Sequence, residues 1–205
     1  MQSHISYESG GIRMNREAEL IKSAKAGSLP AFEELVISYE KKIYNYCFRM
    51  TNSIEDAEDL TQEVFIRVYR KLGSFRATSK FSSWIYRIAH NLCIDRYRRG
   101  RIPSISLSAT KLENDQKDMD LPSREQTPEE CLISREQLDL ILKCIAMLKP
   151  KYRSVIVMRD IQDLAYEEIA TILKLPMGTV KSQISRARAR LRETIASMLE
   201  GGEGA

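Results

Sequence analysis

Three observations predict an all-α fold of two small helical domains joined by a flexible linker. Apolar residues recur at intervals of three and four through nearly every periodic segment, and no stretch alternates apolar with polar side chains as a half-buried strand would. The periodicity fails once, between Gly100 and Gln126, where prolines, serines and acids take over. From Pro30 to Met50, the residues Phe32, Leu35, Val36, Tyr39, Ile43, Tyr46, Cys47 and Met50 keep helical spacing. Ser53, with Asp56 three positions later, marks the start of a second helix. That helix gathers Ile54, Ala57, Leu60, Val64, Phe65, Val68 and Leu72 on one face and ends near Gly73. A third is expected from Phe81 to Arg99. The irregular stretch 101–126 is long enough as a linker for two halves to move independently. Order returns at Thr127-Pro128-Glu129-Glu130, which supplies an N-cap, a proline at the first helical position and a closing Glu. Helices are then expected at about 128–148, 150–159, 165–175 and 178–199. The expected organisation is an N-terminal extension (1–19), a first domain (20–100), the linker (101–126), a second domain (127–199) and a glycine-rich tail (200–205).

The 205 residues are 43% hydrophobic and 29% charged, the balance of a folded soluble chain. No apolar run approaches the ~20 residues of a membrane span. The first twenty residues, with Glu8, Arg13, Arg16, Glu17 and Glu19, do not resemble a secretion signal. A cytoplasmic protein is therefore expected, with Cys47, Cys93, Cys131 and Cys144 as reduced thiols. His90 and Cys93 share a helix face, but two ligands do not make a zinc site. No metal, cofactor or catalytic residue is expected.

The net charge of +4 matters less than its distribution. Arg87, Arg96, Arg98, Arg99 and Arg101 form one basic block against Asp95 alone, and Lys181, Arg186, Arg188, Arg190 and Arg192 form another with no acid. Between them in character, not in position, lies an acidic block of Glu55, Asp56, Glu58, Asp59 and Glu63. Two surfaces for a polyanion and one for a different partner follow.

The sharpest local pattern is a short helix from Tyr166 to Lys174, the interruption Leu175-Pro176-Met177-Gly178 and a basic helix beyond. Proline disfavours continuation and glycine permits a tight turn, so this is a helix-turn-helix pattern. At about 100° per residue, Val180, Ile184, Ala187 and Leu191 form the inward stripe. The outward face then carries Ser182, Ser185, Arg186 and Ala189. Arg186 suits bidentate recognition of guanine, the serines offer single hydrogen bonds, and Ala189 permits close approach. Lys181, Arg188, Arg190 and Arg192 suit phosphates.

In the third helix, Trp84, Ile85, Ile88, Ala89, Leu92 and Cys93 form an apolar face, so Trp84 is a core candidate. The other face interleaves Tyr86, Arg87, His90, Asn91, Tyr97 and Arg98, a mixture suited to stacking unpaired bases while arginines meet phosphates. The loop before it offers Arg76, Thr78, Ser79 and Lys80 to cup an extruded base. Opposite the core stripe of the second helix stand Glu55, Asp56, Asp59, Gln62 and Glu63, with Ile66 and Arg70 among them. An acidic face repels DNA, and an apolar residue within it points to a basic protein partner.

The segments Asp56-Ala-Glu-Asp-Leu-Thr-Gln-Glu-Val-Phe65, Phe81-Ser-Ser-Trp-Ile-Tyr-Arg-Ile-Ala-His-Asn91, Tyr166-Glu-Glu-Ile-Ala170 and Gly178-Thr-Val-Lys-Ser182 occur in that order. Together they resemble the extracytoplasmic-function (ECF) sigma factors, the smallest group of the bacterial sigma-70 family. The resemblance covers about 20–100 and 130–199. It implies that the acidic helix docks on the β′ clamp coiled coil of core RNA polymerase through Asp56, Asp59, Gln62, Glu63 and Ile66. It implies that Arg76, Thr78, Ser79, Lys80, Trp84, Tyr86, Arg87, His90, Asn91 and Arg98 serve the melted, single-stranded minus-ten element, with Asn91 at the pocket of a flipped base. The second domain would read duplex DNA at the minus-thirty-five element through Lys181, Ser182, Ser185, Arg186, Arg188 and Arg190, and touch the β flap. The linker would thread toward the RNA exit path. An anti-sigma factor, often membrane-anchored, is implied as the regulator, with no membrane insertion by the chain itself.

Three features depart from the family pattern. Ala165 stands where relatives carry a capping Ser or Thr, a loss worth about 0.5–2 kcal/mol unless replaced. Ser185 stands where an aromatic or arginine is frequent, and the segment before Met14 is extra, which leaves both Met1 and Met14 open as the native start. Two other classes are weighed against this reading. A stand-alone helix-turn-helix regulator would need a dimerisation seam, and an enzyme on nucleic acid would need converging carboxylates around a metal; neither pattern stands out.

Overall fold

The computed structural model describes residues 6–76, 79–100 and 128–200. Thr78, the expected linker 101–126, the expected cap Thr127 and the tail beyond 200 lie outside them. Eight α-helices form the described structure: α1 (Ser6–Lys25), α2 (Leu29–Thr51), α3 (Ile54–Lys71), α4 (Phe81–Arg98), α5 (Pro128–Met147), α6 (Pro150–Ile156), α7 (Tyr166–Leu173) and α8 (Met177–Glu200). The expected domain boundary at residue 19 falls inside α1, which packs on α2.

Local chemistry sets the joints. Gly27, at φ +97, makes the turn out of α1. Ser28 then caps α2, accepting from the Ala31 N–H, with Pro30 in the first turn. Asn52 ends α2 in the left-handed region, and Ser53 caps α3 by accepting from the Asp56 N–H at 3.2 Å. Beyond α3 a 3-10 turn, Leu72–Ser74, continues the chain. The helix expected over 150–159 is α-helical only to Ile156. It then widens into a π turn at Val157–Ile161, closed by the Gln162 N–H on the Val157 carbonyl at 2.9 Å.

The first half, α1–α4, buries Ile43, Tyr46, Cys47, Ala57, Val64, Ile85 and Ala89, the stripes that periodicity predicts. Trp84 is in this core, within 6 Å of the Phe75 and Phe81 rings. The Cys47 and Cys93 thiols meet there, sulfur to sulfur at 4.0 Å. The second half, α5–α8, buries Val155, Val157, Met158, Ile169, Ile172, Val180, Ile184 and Ala187.

The halves do not stand apart. α7 packs on α4, and α2 packs on α5, α6 and the π turn, so both belong to one apolar cluster. In this structure the two halves pack in a closed arrangement. Its centre is Arg153 on α6, 6% exposed. Its guanidinium donates to the Met50 carbonyl at the end of α2, at 2.6 Å, and to the Ala146 carbonyl at the end of α5. Both are helix-terminal acceptors without an intrahelical donor. Four residues after Ala146 comes Pro150, which has no N–H to give, and four after Met50 comes Ile54, already in α3. Helix C-termini carry partial negative charge, so two of them hold a cation that no carboxylate among the described residues pairs with. Burial pushes the Arg153 guanidinium below its ordinary value.

Candidate nucleic-acid and polymerase interfaces

The helix-turn-helix is α7, a three-residue turn and α8. Lys174, not a glycine, makes the turn: it adopts φ +54, and the Leu175 N–H reaches back to the Ala170 carbonyl at 3.1 Å. Gly178, expected in the turn, lies in the first turn of α8 instead. The missing cap at Ala165 is offset from the other side, because the Glu168 carboxylate accepts the Ala165 N–H at 3.1 Å.

On α8, Val180, Ile184 and Ala187 are buried and Leu191 half-buried, as the stripe requires. Lys181, Ser185 and Arg186 are exposed on the other side. Among the described residues no carboxylate pairs with Arg186, so its guanidinium is available for a ligand. Arg188 is engaged instead, gripping Asp160 of the π turn through two nitrogens. Arg190 lies over the Tyr152 ring at 5.1 Å, and the Ser182 hydroxyl donates to the Thr179 carbonyl. The serine and the two arginines thus have positions fixed within their own domain.

On α4 the structure separates residues the helical pattern grouped together. Asn91 and Arg98 are exposed and Arg87 is half-buried. Tyr86 is 2% exposed, its ring edge-on to Tyr46 and its hydroxyl donating to the Gln162 side chain at 2.6 Å. The expected outward position of Tyr86 is corrected: the second half covers it. His90 is also largely enclosed, with Nδ1 3.0 Å from the Tyr46 hydroxyl. Burial pushes it down to about 4.

That shift carries a sign. A histidine held neutral in the fold and ordinary in the unfolded chain gives stability that is present above about pH 6.5. The stability is lost as pH falls toward 4, because the unfolded state takes the proton first. The thermal midpoint is expected to fall over that window, by the equivalent of about 1–3 kcal/mol. His90→Gln is expected to flatten that slope, and a variant with the wild-type slope would show that another group titrates.

At the loop before α4, Arg76 and Lys80 are exposed and Ser79 half-buried. Lys80 caps α4 in position only, making no side-chain bond to it, and the first turn has no acid. Its ammonium, with the Ser82 hydroxyl, faces Glu168 of α7 at 3.4 and 3.1 Å. Sequence reasoning missed Glu168, Gln162 and Arg153, whose partners lie 76–103 positions away.

On α3, Gln62 and Ile66 are exposed, Ile66 at 44%, and Asp59 is largely exposed beside Arg96. Asp56 turns inward to pair with Arg96 of α4, and Glu63 pairs with Arg67 one turn on at 2.6 Å. Ile66 is therefore exposed, with Tyr69 and Arg70 exposed one turn on, while Asp56 serves the α3–α4 joint.

A three- to four-helix unit with an acidic outer helix, followed by a helix-turn-helix unit with a basic recognition face, is the two-part plan of a transcription initiation factor. Residues 35–102 match the family model for Sigma-70 region 2, and residues 138–191 match that for Sigma-70, region 4. The chain is 40% identical over 180 residues to the ECF RNA polymerase sigma factor SigW of Bacillus subtilis (strain 168), covering 87% of this chain and 96% of that protein. It is 34% identical over 182 residues to the ECF RNA polymerase sigma-E factor of Escherichia coli (strain K12), covering 88% and 94%. The chain belongs to the sigma-70 family, and within it to the ECF RNA polymerase sigma factors.

Solved structures agree in fold. CnrH, in complex with the cytosolic domain of CnrY, superposes with a TM-score of 0.65 at 22% identity, covering 89% of this chain and 98% of that one. The sigma factor RpoE of Bartonella quintana, in complex with the anti-sigma factor NepR, gives 0.61 at 23% identity, covering 80% and 96%.

Proposed function

We propose that this ECF sigma factor docks on the β′ clamp of core RNA polymerase through Asp59, Gln62, Glu63 and Ile66 of α3. In that complex it positions α4 and its preceding loop on the melted minus-ten strand and α8 on duplex DNA at minus-thirty-five. The observation that carries the reading is the division of surface charge between helices. α3 exposes acids around an apolar Ile66, while α8 exposes Lys181 and Arg186 with no acid nearby in sequence. Arg76, Ser79, Lys80, Arg87, Asn91 and Arg98 supply hydrogen bonds and charge to the unpaired strand, and Trp84 holds their helix in place from within the core. Tyr86 joins them once its cover is removed. Arg186 reads a base, and Lys181 holds a phosphate. Arg188 and Arg190, placed by Asp160 and Tyr152, present charge to the backbone.

The catalytic metals of transcription belong to the polymerase, and this chain supplies promoter choice and strand capture. Its place of work is the cytoplasm; among the described residues no helix is long and apolar enough to cross a membrane. An anti-sigma factor controls it, in keeping with the partner named for RpoE of Bartonella quintana. Ile66→Glu tests the docking claim. Ile66 already faces solvent, so the melting temperature should stay unchanged while affinity for core polymerase falls about tenfold or more. Unchanged capture of core polymerase by this variant would remove α3 as the docking helix.

A further inference from the structure

The basic helix α8 carries Lys181, Arg186, Arg188, Arg190 and Arg192, and among the described residues Arg188 is the one of these that meets a carboxylate. That carboxylate, Asp160, comes from the π turn rather than from α8 itself. The Arg188 Nε donates to Asp160 Oδ2 at 3.1 Å and Nη2 donates to Oδ1. One edge of the guanidinium is thus gripped, and the Nη1 side is not used by Asp160. A π turn spans one more residue than an α turn and re-aims the side chains it carries. This one is braced by the residue before Asp160. Arg159 donates to the Asp163 carboxylate at 3.1 Å and to the Leu164 carbonyl at 2.9 Å, and lies over the Tyr166 ring at 5.1 Å. Asp160 therefore stands on a fixed shelf beside α8. On that helix Lys181, Ser185 and Arg188 follow at intervals of four and three, one row of the exposed face.

We propose that Asp160 is a positioning residue that sets the sequence discrimination of α8, by holding Arg188 where it meets a phosphate only when the helix sits in its correct register. This rests on the reading of α8 as the duplex-binding helix given above. A free arginine is a mobile cation that follows any phosphate within reach, so it strengthens binding to every sequence alike. Paired with Asp160, Arg188 has its charge offset and its rotamer freedom already removed. A phosphate that arrives out of register finds a guanidinium that does not turn to follow it, and a carboxylate close by that repels it. A phosphate that arrives in register, with Arg186 against its base, meets the Nη1 side in a geometry that needs no further ordering. Specificity is a difference between two affinities, and Asp160 widens it by weakening the wrong complex.

Asp160→Asn removes the charge and keeps the shape. Full-length wild type, Asp160→Asn, Arg188→Ala and the double variant are each assembled with core RNA polymerase. Each complex is titrated onto a fragment carrying one of the chain's own promoters, and onto the same fragment with its minus-thirty-five segment scrambled, at several salt concentrations. Asp160→Asn should bind the scrambled fragment about two- to fivefold tighter, with a salt slope steeper by about one, and the promoter with little change. Discrimination then falls by the same factor. Adding Arg188→Ala should abolish the gain, and Asp160→Glu, which keeps the charge, should stay near wild type. A brace for the fold alone would do the opposite. Asp160→Asn would then weaken binding to both fragments equally and lower the melting temperature, and that result overturns the proposal. If Arg188→Ala weakens binding while Asp160→Asn leaves discrimination unchanged, positioning is overturned and the contact of α8 with DNA stands. Wild-type affinity and salt slope in Arg188→Ala on both fragments would instead remove Arg188 from the DNA contact, and the proposal with it. The Arg188 Nε–H resonance, followed by nuclear magnetic resonance in the full chain, gives a reading without DNA. It should be protected from exchange with water in the wild type and lose that protection in Asp160→Asn. Equal exchange in the two proteins would contradict a held guanidinium.

Discussion

Arg153→Ala is expected to cost about 3 kcal/mol of stability and to divide one unfolding transition into two. The substitution removes the donor that two helix ends share. The carbonyls of Met50 and Ala146 are left without a partner inside the protein, and a lost charged donor is worth about 1.5–3 kcal/mol each. A cavity adds to this, while relief from burying a cation offsets part of it. Arg153→Met, which fills the space but bonds neither carbonyl, should lose less. Trp84, the single tryptophan, reports on the first half, and far-ultraviolet circular dichroism reports on both. In urea the two signals should coincide for the wild type. In Arg153→Ala they should separate, with a lower midpoint for helicity. Coincident curves with an unchanged midpoint would mean that Arg153 does not join the halves in solution.

The second large effect belongs to Arg186→Ala. Arg186 is exposed on the outer face of α8 and unpaired among the described residues, whereas Arg188 is committed to Asp160 and Arg190 to Tyr152. Loss of a bidentate contact to a base costs about 1–3 kcal/mol of discrimination. Arg186→Ala should therefore reduce initiation from the chain's own promoters by roughly tenfold and relax preference at one position of the minus-thirty-five element. Lys181→Ala should act differently, weakening all sequences alike and lowering the salt slope of binding by about one. The comparison is made by quantitative footprinting of the polymerase complex at several salt concentrations. An unchanged preference in Arg186→Ala would move base recognition elsewhere on α8.

The helices were legible because each buries one face. Ile43, Tyr46 and Cys47 on α2, and Val180, Ile184 and Ala187 on α8, are spaced by the helix period and all are buried. Ser53 was legible as a cap because capping is local, within three residues. The turn of the helix-turn-helix was misassigned to Gly178, since Lys174 pays the strain of a left-handed backbone to end α7 and composition does not reveal that. Tyr86 shows the larger limit. Its position on α4 gives its direction, but what lies in that direction is Gln162, from the other half of the chain. Arg153 was equally silent: a buried arginine is told from a surface one only by the two carbonyls it meets, and Met50 is 103 positions distant. Only the absence of an N–H at Pro150 hinted that the end of α5 needs a donor from elsewhere.

The most direct measurement is reconstitution of the purified chain with bacterial core RNA polymerase, followed by run-off transcription on fragmented genomic DNA. Stoichiometric capture and a set of new start sites sharing two upstream elements are the expected result. Failure to capture core polymerase, with tight binding of duplex DNA by the chain alone, would contradict both the docking role of α3 and the strand-binding role of α4.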